Sequence, residues 1–423
     1  MELKINPEPP EIMHIDLNSA FAMTEQQADP LLRGKPVGVT NRINDYSICI
    51  TASYDAKARG ITLGTRYKDA KLLAPNFVML ESDPAKYQYV HRKLLAIFKE
   101  YSPTAGMKSI DEGIIDFTGM RALLKGRTLD DIGREIKYRI KTEVGDYMTF
   151  NIGIGQNRWL AKVGAGFNKP DGLYVIDKDN LEVVYGRMSL MELPYIKARN
   201  KLRLNMAGLY TPLDFLYAPE HVLTKQVFKS INGHHWYLKL RGYETEVEFG
   251  IKTVGRSYVL EHRTSDPEEL ATLFFKAACK VARRLRKNTL AARGMMLSLS
   301  YTQKLAWDRT IIEGPYRWYE RHMYEVPAWR SDQLYARLMD LYRRSPQGEI
   351  VASMAVTSYA VEPHRLEQLD LFLDESTQRD RIEDAMNLIN DKYGELTLAP
   401  AAVAKSKNPM KDKIPFGTIR YFD

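Results

Sequence analysis

Met107–Gly119 reads MKSIDEGIIDFTG, with two carboxylates, Asp111 and Glu112, side by side in a segment whose other residues suit a β-strand. A carboxylate that cannot reach water must be paired or must hold a metal, because an unpaired buried charge costs several kcal/mol. The pair therefore belongs either to an exposed turn or to a site. Strict alternation would send Asp111 and Glu112 to opposite faces, so both serve one site only at a hairpin tip or a bulge, which Gly113 eases.

Outward from this stretch the chain alternates strands and helices without a strict βαβ repeat, which predicts a sheet with helices on one face. Upstream, Ile12–Leu17 (IMHIDL) reads as a strand entering a core, with Met13, Ile15 and Leu17 on one face and His14, Asp16 and Asn18 on the other. Its continuation SAFAMTEQQ reads as a helix that stops before Asp29-Pro30. Val37-Gly38-Val39 and SICITASYDAKARG give a strand and a strand-to-helix unit closing at Gly60, a small α/β insertion ending near Pro75. A helical run, PAKYQYVHRKLLAIFKEY, leads into the acidic stretch. Beyond it YMTFNIGIGQ reads as a buried strand, and NRWLAKVGAGFNKPDG as a helix stopping before Pro170.

Residues 180 to 245 read as mostly helical, and EVEFGIKTVGRSYVL as extended. Ser265-Asp266-Pro267-Glu268 predicts a capped helix with a capping-box Glu, followed by Leu270, Leu273, Phe274, Ala277, Val281 and Leu285 at helical spacing. Strands at GMMLSLSYTQ and VASMAVTSYAV and a helix from Asp332 to Leu341 complete a β-rich C-terminal module.

The 423 residues are 44% hydrophobic and 27% charged, which suits a globular protein of roughly two to four domains. Lys+Arg 61 against Asp+Glu 53 gives +8, a balance that favours polyanionic partners. Two cysteines, Cys49 and Cys279, in unrelated contexts argue against a disulfide framework or a zinc cluster. Neither a signal-peptide core nor a run of about 18 apolar residues occurs, so the expectation is a cytoplasmic protein without a membrane partner.

Asp16, Asp111 and Glu112 call for one explanation. Magnesium takes oxygen ligands, commonly a few carboxylates together with substrate phosphates. Neighbouring antiparallel strands would bring the three together. On spacing alone a solvated acidic turn is the simpler reading.

The blocks MHIDLNSAFA, TASYDAKARGI, SIDEGIIDFTG and NIGIGQNRWLAKVGAGFNKPDG, in this order and at these intervals, resemble the signature blocks of Y-family DNA polymerases, the DinB/UmuC type of translesion enzyme. KTVGRSYVL, RRLRKNTLAARGMMLSLSYTQ and EQLDLF extend the likeness over nearly the whole chain. It implies an α+β, multidomain right-hand polymerase with a mixed-sheet palm (residues 1–24 and 81–176), small fingers (25–80) and a helical thumb (177–245). A linker (246–253), a C-terminal α/β little finger (254–365) and a tail (366–423) follow.

The resemblance further implies that Asp16 and Asp111 are metal-binding aspartates, that Leu17 offers its backbone carbonyl, and that Glu112 is the remaining catalytic carboxylate. They would hold two Mg2+ ions, with Mn2+ as a substitute. Phe21 takes the place of an aromatic steric gate that excludes a 2′-hydroxyl; without the family match it reads as a core residue. Tyr54, Lys57 and Lys169 match positions that hold the triphosphate, with Thr51 just upstream. The implied partners are primer-template DNA and dNTPs, for a monomeric, nucleoid-associated, low-fidelity enzyme without proofreading. A non-catalytic DNA-binding scaffold and a nucleotide cyclase are the alternatives; the first is disfavoured by the intact carboxylates, the second by the C-terminal module.

Three departures stand out. Lys57 replaces the usual arginine, giving a point charge for a bidentate fork. Ala20 stands where a bulky aromatic is common. ELPYIKARNKLRLNMAGLYTPLDFL aligns with a helix-hairpin-helix but lacks its Gly-hydrophobic-Gly turn, with Lys197, Arg199, Lys201 and Arg203 as candidate compensating charges. In the C-terminal module Lys280, Arg283, Arg284, Arg286 and Lys287 fit either a duplex backbone or the helix dipole. PYRWYERHMYEVPAWR interleaves aromatic and basic residues, as single-strand binders do, and also reads as a packed loop. Gln368, Leu369, Leu371 and Phe372 of EQLDLF resemble the peptide that attaches bacterial polymerases to the sliding clamp; a final strand or helix start is the other reading.

Overall fold

Along β1 (Ile12–Leu17) every residue is buried except Asp16, which is partly exposed, so both faces of this strand are covered. The computed structural model describes residues 3–44, 47–124, 126–245, 251–302, 317–364, 375–393, 397, 398 and 410. The chain divides into two units, Met1–Val247 and Glu248–Asp412.

In the first unit β1 is the middle strand of a mixed five-stranded sheet. With β2 (Val37–Thr40), β3 (Thr51–Ala52) and β4 (Val78–Glu81) set apart, the order is β5 (Gly106–Met107), β6 (Glu112–Asp116), β1, β7 (Phe150–Gly155), β8 (Leu173–Val175). β1 runs antiparallel to β6 and β7, and β7 runs parallel to β8. After β1 comes α1 (Ala20–Ala28), ending at Asp29 as expected. One sheet face, formed by Met13, Ile15, Leu17, Phe150, Ile152 and Ile154, packs against helices that include α4 (Pro84–Tyr101) and α5 (Leu129–Glu143). Local signals fix those helices: Asp83 accepts from two first-turn N–H groups of α4, and Thr128 with Asp131 forms a capping box on α5.

The expectation of helices on one face is corrected here. α6 (Arg158–Gly164) covers the other face, with Ala161 packed on Ile12 and Ile114. Gly153 permits this approach, since a Cβ there would stand 1.9 Å from the Ala161 carbonyl oxygen. α6 is also shorter than predicted, and the turn after Gly164 carries Lys169.

The insertion is a three-stranded sheet, β3-β2-β4, with α2 (Tyr54–Lys57) and α3 (Tyr67–Leu73) around a small core of Cys49, Ala52, Ile61, Phe77 and Met79. A helical region holds α7 (Leu181–Gly186), α8 (Ala198–Met206), α9 (Pro212–Tyr217), α10 (Glu220–Val222) and α11 (Asn232–Leu240). It packs on Trp159, Tyr185, Phe215 and Trp236.

The second unit is an antiparallel sheet ordered β11 (Arg317–Ala328), β10 (Leu290–Tyr301), β12 (Val351–Pro363), β9 (Thr253–Thr264). The aromatic and basic run is thus an edge strand, β11, rather than a packed loop. α12 (Pro267–Lys287) buries all six residues predicted from its periodicity. Its N-cap is Asp266, which accepts from the Glu268 N–H, and not Ser265; Pro267 at the first helical position selects the residue before it. α13 (Ser331–Arg343) and α14 (Glu375–Tyr393) follow.

Candidate active site

Asp16 and Glu112 are direct cross-strand partners in the β1–β6 ladder, on the sheet face that α6 covers. The turn before β6 is a tight hairpin, in which the Lys108 N–H reaches the Glu112 carbonyl at 2.7 Å. Asp111 sits at its tip, and its carbonyl accepts from the Leu17 N–H at 2.9 Å, tying the turn to the end of β1. The Ser109 hydroxyl donates to Asp111 Oδ1 at 2.5 Å and accepts from the Glu112 N–H at 3.1 Å. The hairpin is the geometry that two adjacent carboxylates needed to serve one place.

Lysines engage two of the three carboxylates. Lys162, from α6, donates to both Glu112 oxygens at 2.6 and 2.5 Å, and Lys169 pairs with Asp16. Burial pulls the Lys162 ammonium down, but Glu112 outweighs it and the net shift is upward. Asp111 is pushed up by burial, with Asp16 and Glu112 adding to the effect, so its ionised form is held beside like charges. His14, whose Nε2 lies 3.7 Å from Glu112, is lowered to about 3 by burial and then by Lys162. Among the described residues no three His, Cys, Asp or Glu side chains are gathered to hold an ion as they stand. The donor set still fits a hard divalent cation: oxygen ligands from two strands, with one carboxylate, Asp111, disfavoured as an anion by its surroundings.

Next to this set α1 and α2 bring further polar groups together. The Lys57 ammonium donates to Ser19 Oγ at 2.7 Å and lies 4.5 Å from the centre of the Tyr54 ring. Burial and then Lys169 lower its pKa, which places two cations close to one another. The Tyr54 hydroxyl, pushed up to about 12 by burial and Asp16, donates to Asn18. Thr51 is on β3 opposite Val39. Phe21 is buried on α1 and stacks on Tyr87 with ring centres 4.5 Å apart. Tyr87 in turn donates to the buried Glu25 at 2.8 Å, and Lys86 pairs with the same carboxylate at 2.7 Å. Ala20 is in the core cluster.

Sequence reasoning missed Lys162 and Asn151, and it put Asn18 on the Asp16 face without giving it a role. The signal for Lys162 was a lone cation in the otherwise apolar WLAKVGA; for Asn151, a single amide in a strand whose every residue is buried. In the helical region Tyr195 occupies the missing-glycine turn with φ 70°, a left-handed conformation that costs a non-glycine residue roughly 1–2 kcal/mol. Lys197, Arg199, Lys201 and Arg203 are exposed. On α12 two arginines are engaged within the protein: Arg284 donates to the Gly255 carbonyl at 2.6 Å, and Arg286 pairs with Glu383 at 2.7 Å. Gln368, Leu369, Leu371 and Phe372 lie outside the described residues.

The sequence matches the impB/mucB/samB family over residues 15–166 and that family's C-terminal domain over residues 251–371. DNA polymerase IV of Pelotomaculum thermopropionicum is 30% identical over 94% of this chain and 97% of its own length. DNA polymerase IV 1 of Bacillus subtilis is 28% identical over 94% of each chain. Among solved structures, a Y-family DNA polymerase chimera of Dbh and Dpo4 superposes with a TM-score of 0.68 at 22% identity, covering 83% of this chain and 98% of that one. That likeness concerns the fold, which is that of a right-hand polymerase. The enzyme class is a DNA-directed DNA polymerase of the translesion kind. The chain belongs to the impB/mucB/samB family, as a Y-family polymerase of DinB type.

Proposed function

We propose that this polymerase adds deoxynucleotides to a primer 3′-hydroxyl by a two-metal mechanism centred on Asp16, Asp111 and Glu112, with low fidelity and without proofreading. One observation supports it above the rest: Asp16 and Glu112 face each other across a ladder while the Asp111 turn is bonded to Leu17. The Leu17 carbonyl would complete the set. Bound Mg2+ would supply the Lewis acidity that lowers the pKa of the attacking hydroxyl and offsets charge at the α-phosphate. For the carboxylates to take that role, Lys162 and Lys169 must release them. Lys169 is then free for the triphosphate, beside Lys57 and Tyr54, with Thr51 upstream. Phe21, backed by Tyr87, would lie under the sugar and exclude a 2′-hydroxyl.

Within this reading residues 1–24 and 81–176 form the palm, 25–80 the fingers, 177–245 the thumb and 254–365 the little finger. The small fingers sheet enforces pair geometry weakly, which lowers discrimination. Primer-template DNA and dNTPs are the partners; the similar solved structures include an insertion ternary complex of Dbh DNA polymerase. The open face of the second sheet suits the duplex backbone. Met295, Leu297 and Leu299 of β10 are buried, whereas Met296 and Ser300 on the other face are partly exposed beside their ladder partners Arg321 and Arg317; Ser298 between them is buried and accepts from Arg317 Nε at 2.8 Å. The enzyme would act as a monomer, tethered to a sliding clamp through Gln368, Leu369, Leu371 and Phe372.

Primer extension on a defined template, with Mg2+ and dNTPs, tests the reading. Stepwise extension that stops when the metal is chelated is expected. An unchanged primer would leave only the scaffold, and cyclic nucleotide made without DNA would make the chain a cyclase.

A further inference from the structure

Two asparagines to which the proposed mechanism gives no role form a buried bridge between the two arms of the triphosphate site, one of them bonded directly to Tyr54. Asn18 is 1% exposed and Asn151 0%. The Tyr54 hydroxyl donates to Asn18 Oδ1 at 3.2 Å. Asn18 Nδ2 donates onward to Asn151 Oδ1 at 3.2 Å and to Thr149 Oγ1 at 3.3 Å. Asn151 then clasps both ends of one turn: its Nδ2 donates to the Phe167 carbonyl at 2.6 Å, and its Oδ1 accepts from the Gly172 N–H at 3.2 Å. Lys169 lies between those two ends.

The far side of that turn is pinned as well. Asp171 has φ 63° and pairs with Lys141 at 2.8 Å and Lys137 at 3.1 Å, both on α5. The turn therefore has a fixed base, and the Asn151 amide sets its inner edge. On the opposite arm Tyr54 belongs to the short helix α2, which also carries Lys57. A triphosphate held by both arms needs their separation fixed before it arrives, because ordering them on binding would weaken it.

We propose that Asn18 and Asn151 are positioning residues for nucleotide binding, holding the α2 arm and the Lys169 turn at the spacing a triphosphate requires. This rests on the triphosphate reading of Tyr54, Lys57 and Lys169. An amide suits the task because Asn18 must accept from Tyr54 and donate to two oxygens at once, which a carboxylate cannot do.

The test compares Asn151→Ala, Asn18→Ala and the double variant with the parent enzyme on one primer-template. Each is followed by steady-state kinetics, by dNTP binding to a dideoxy-terminated primer complex, and by thermal unfolding. KM and Kd for dNTP should rise about tenfold in each single variant, the size of one lost buried hydrogen bond, with kcat within about twofold and primer-template affinity unchanged. The double variant should be no worse than about the larger single effect, since both act through one chain of bonds. Should Asn151→Ala fail to fold, Asn18→Ala, at the end of β1, decides alone. Unchanged dNTP KM in a folded variant, or a joint loss of kcat and DNA affinity, overturns the proposal. Lys169→Ala separates the two claims: if it leaves dNTP KM unchanged, the triphosphate reading has failed instead.

Discussion

The two units use charge in opposite ways. In the first, Glu112 is held by Lys162 at 2.5 Å on a sheet face covered by α6, and Asp111 is so enclosed that burial raises its pKa. In the second, Arg317 and Arg321 on the edge strand are exposed and share a face with small hydroxyl residues of β10. Enclosed charge is strongly coupled to its neighbours and acts on chemistry. Charge spread on an open face is screened by salt and acts on association. The difference also says where substitutions should act.

The largest effect belongs to the enclosed set. Asp111→Ala should lower the rate of primer extension roughly a thousandfold or more, while primer-template affinity, measured by fluorescence anisotropy, stays near the parent value. Equal extension by both proteins would break the comparison at its base. Phe21→Ala comes next: the ratio of kcat/KM for a dNTP over the matching rNTP should fall roughly a hundredfold, because the ring that fills the space of the 2′-hydroxyl is gone. An unchanged ratio would return Phe21 to the core. On the open face, Arg317→Ala with Arg321→Ala should weaken primer-template binding by less than these factors and reduce the slope of log affinity against log salt by about 2, with the extension rate at saturating DNA unchanged.

Local signals explain what was legible beforehand. The strand from Ile12 to Leu17, the helix starting after Asp83 and the six-residue stripe of α12 each depend on neighbours in sequence, as does the hairpin demanded by Asp111 and Glu112. Ser265-Asp266-Pro267-Glu268 marks the start of α12, and Pro267 at its first position puts the cap on Asp266. Other features needed contacts that spacing does not encode. Arg286 finds Glu383 nearly a hundred residues later, and Lys162 finds Glu112 because α6 lies on the face predicted to be bare. Resemblance named the triphosphate residues and strand alternation put Asn18 on the Asp16 face, but Asn151 and its bond to Asn18 entered only with the fold.

His14 gives the smallest and most local test of enclosed charge. Its side chain is on the covered face, and burial lowers its pKa from 6.5 to about 3. Below pH 6.5 the unfolded chain therefore binds a proton that the folded chain refuses. Stability is full above that value and falls as the pH drops toward about 3, on the order of 1 kcal/mol per pH unit. Asp111 has the opposite sign: its raised folded pKa lets the folded chain take the proton first, so acidification relieves a penalty there. Hydrogen exchange of the β1 and β7 amides between pH 6.5 and 4.5 should thus show protection falling in the parent, falling less in His14→Gln, and falling more steeply in Asp111→Asn. A parent profile that His14→Gln leaves unaltered would mean that the imidazole is solvated as freely as the arginines of the open sheet, and the contrast between the two units would lose its sharpest case.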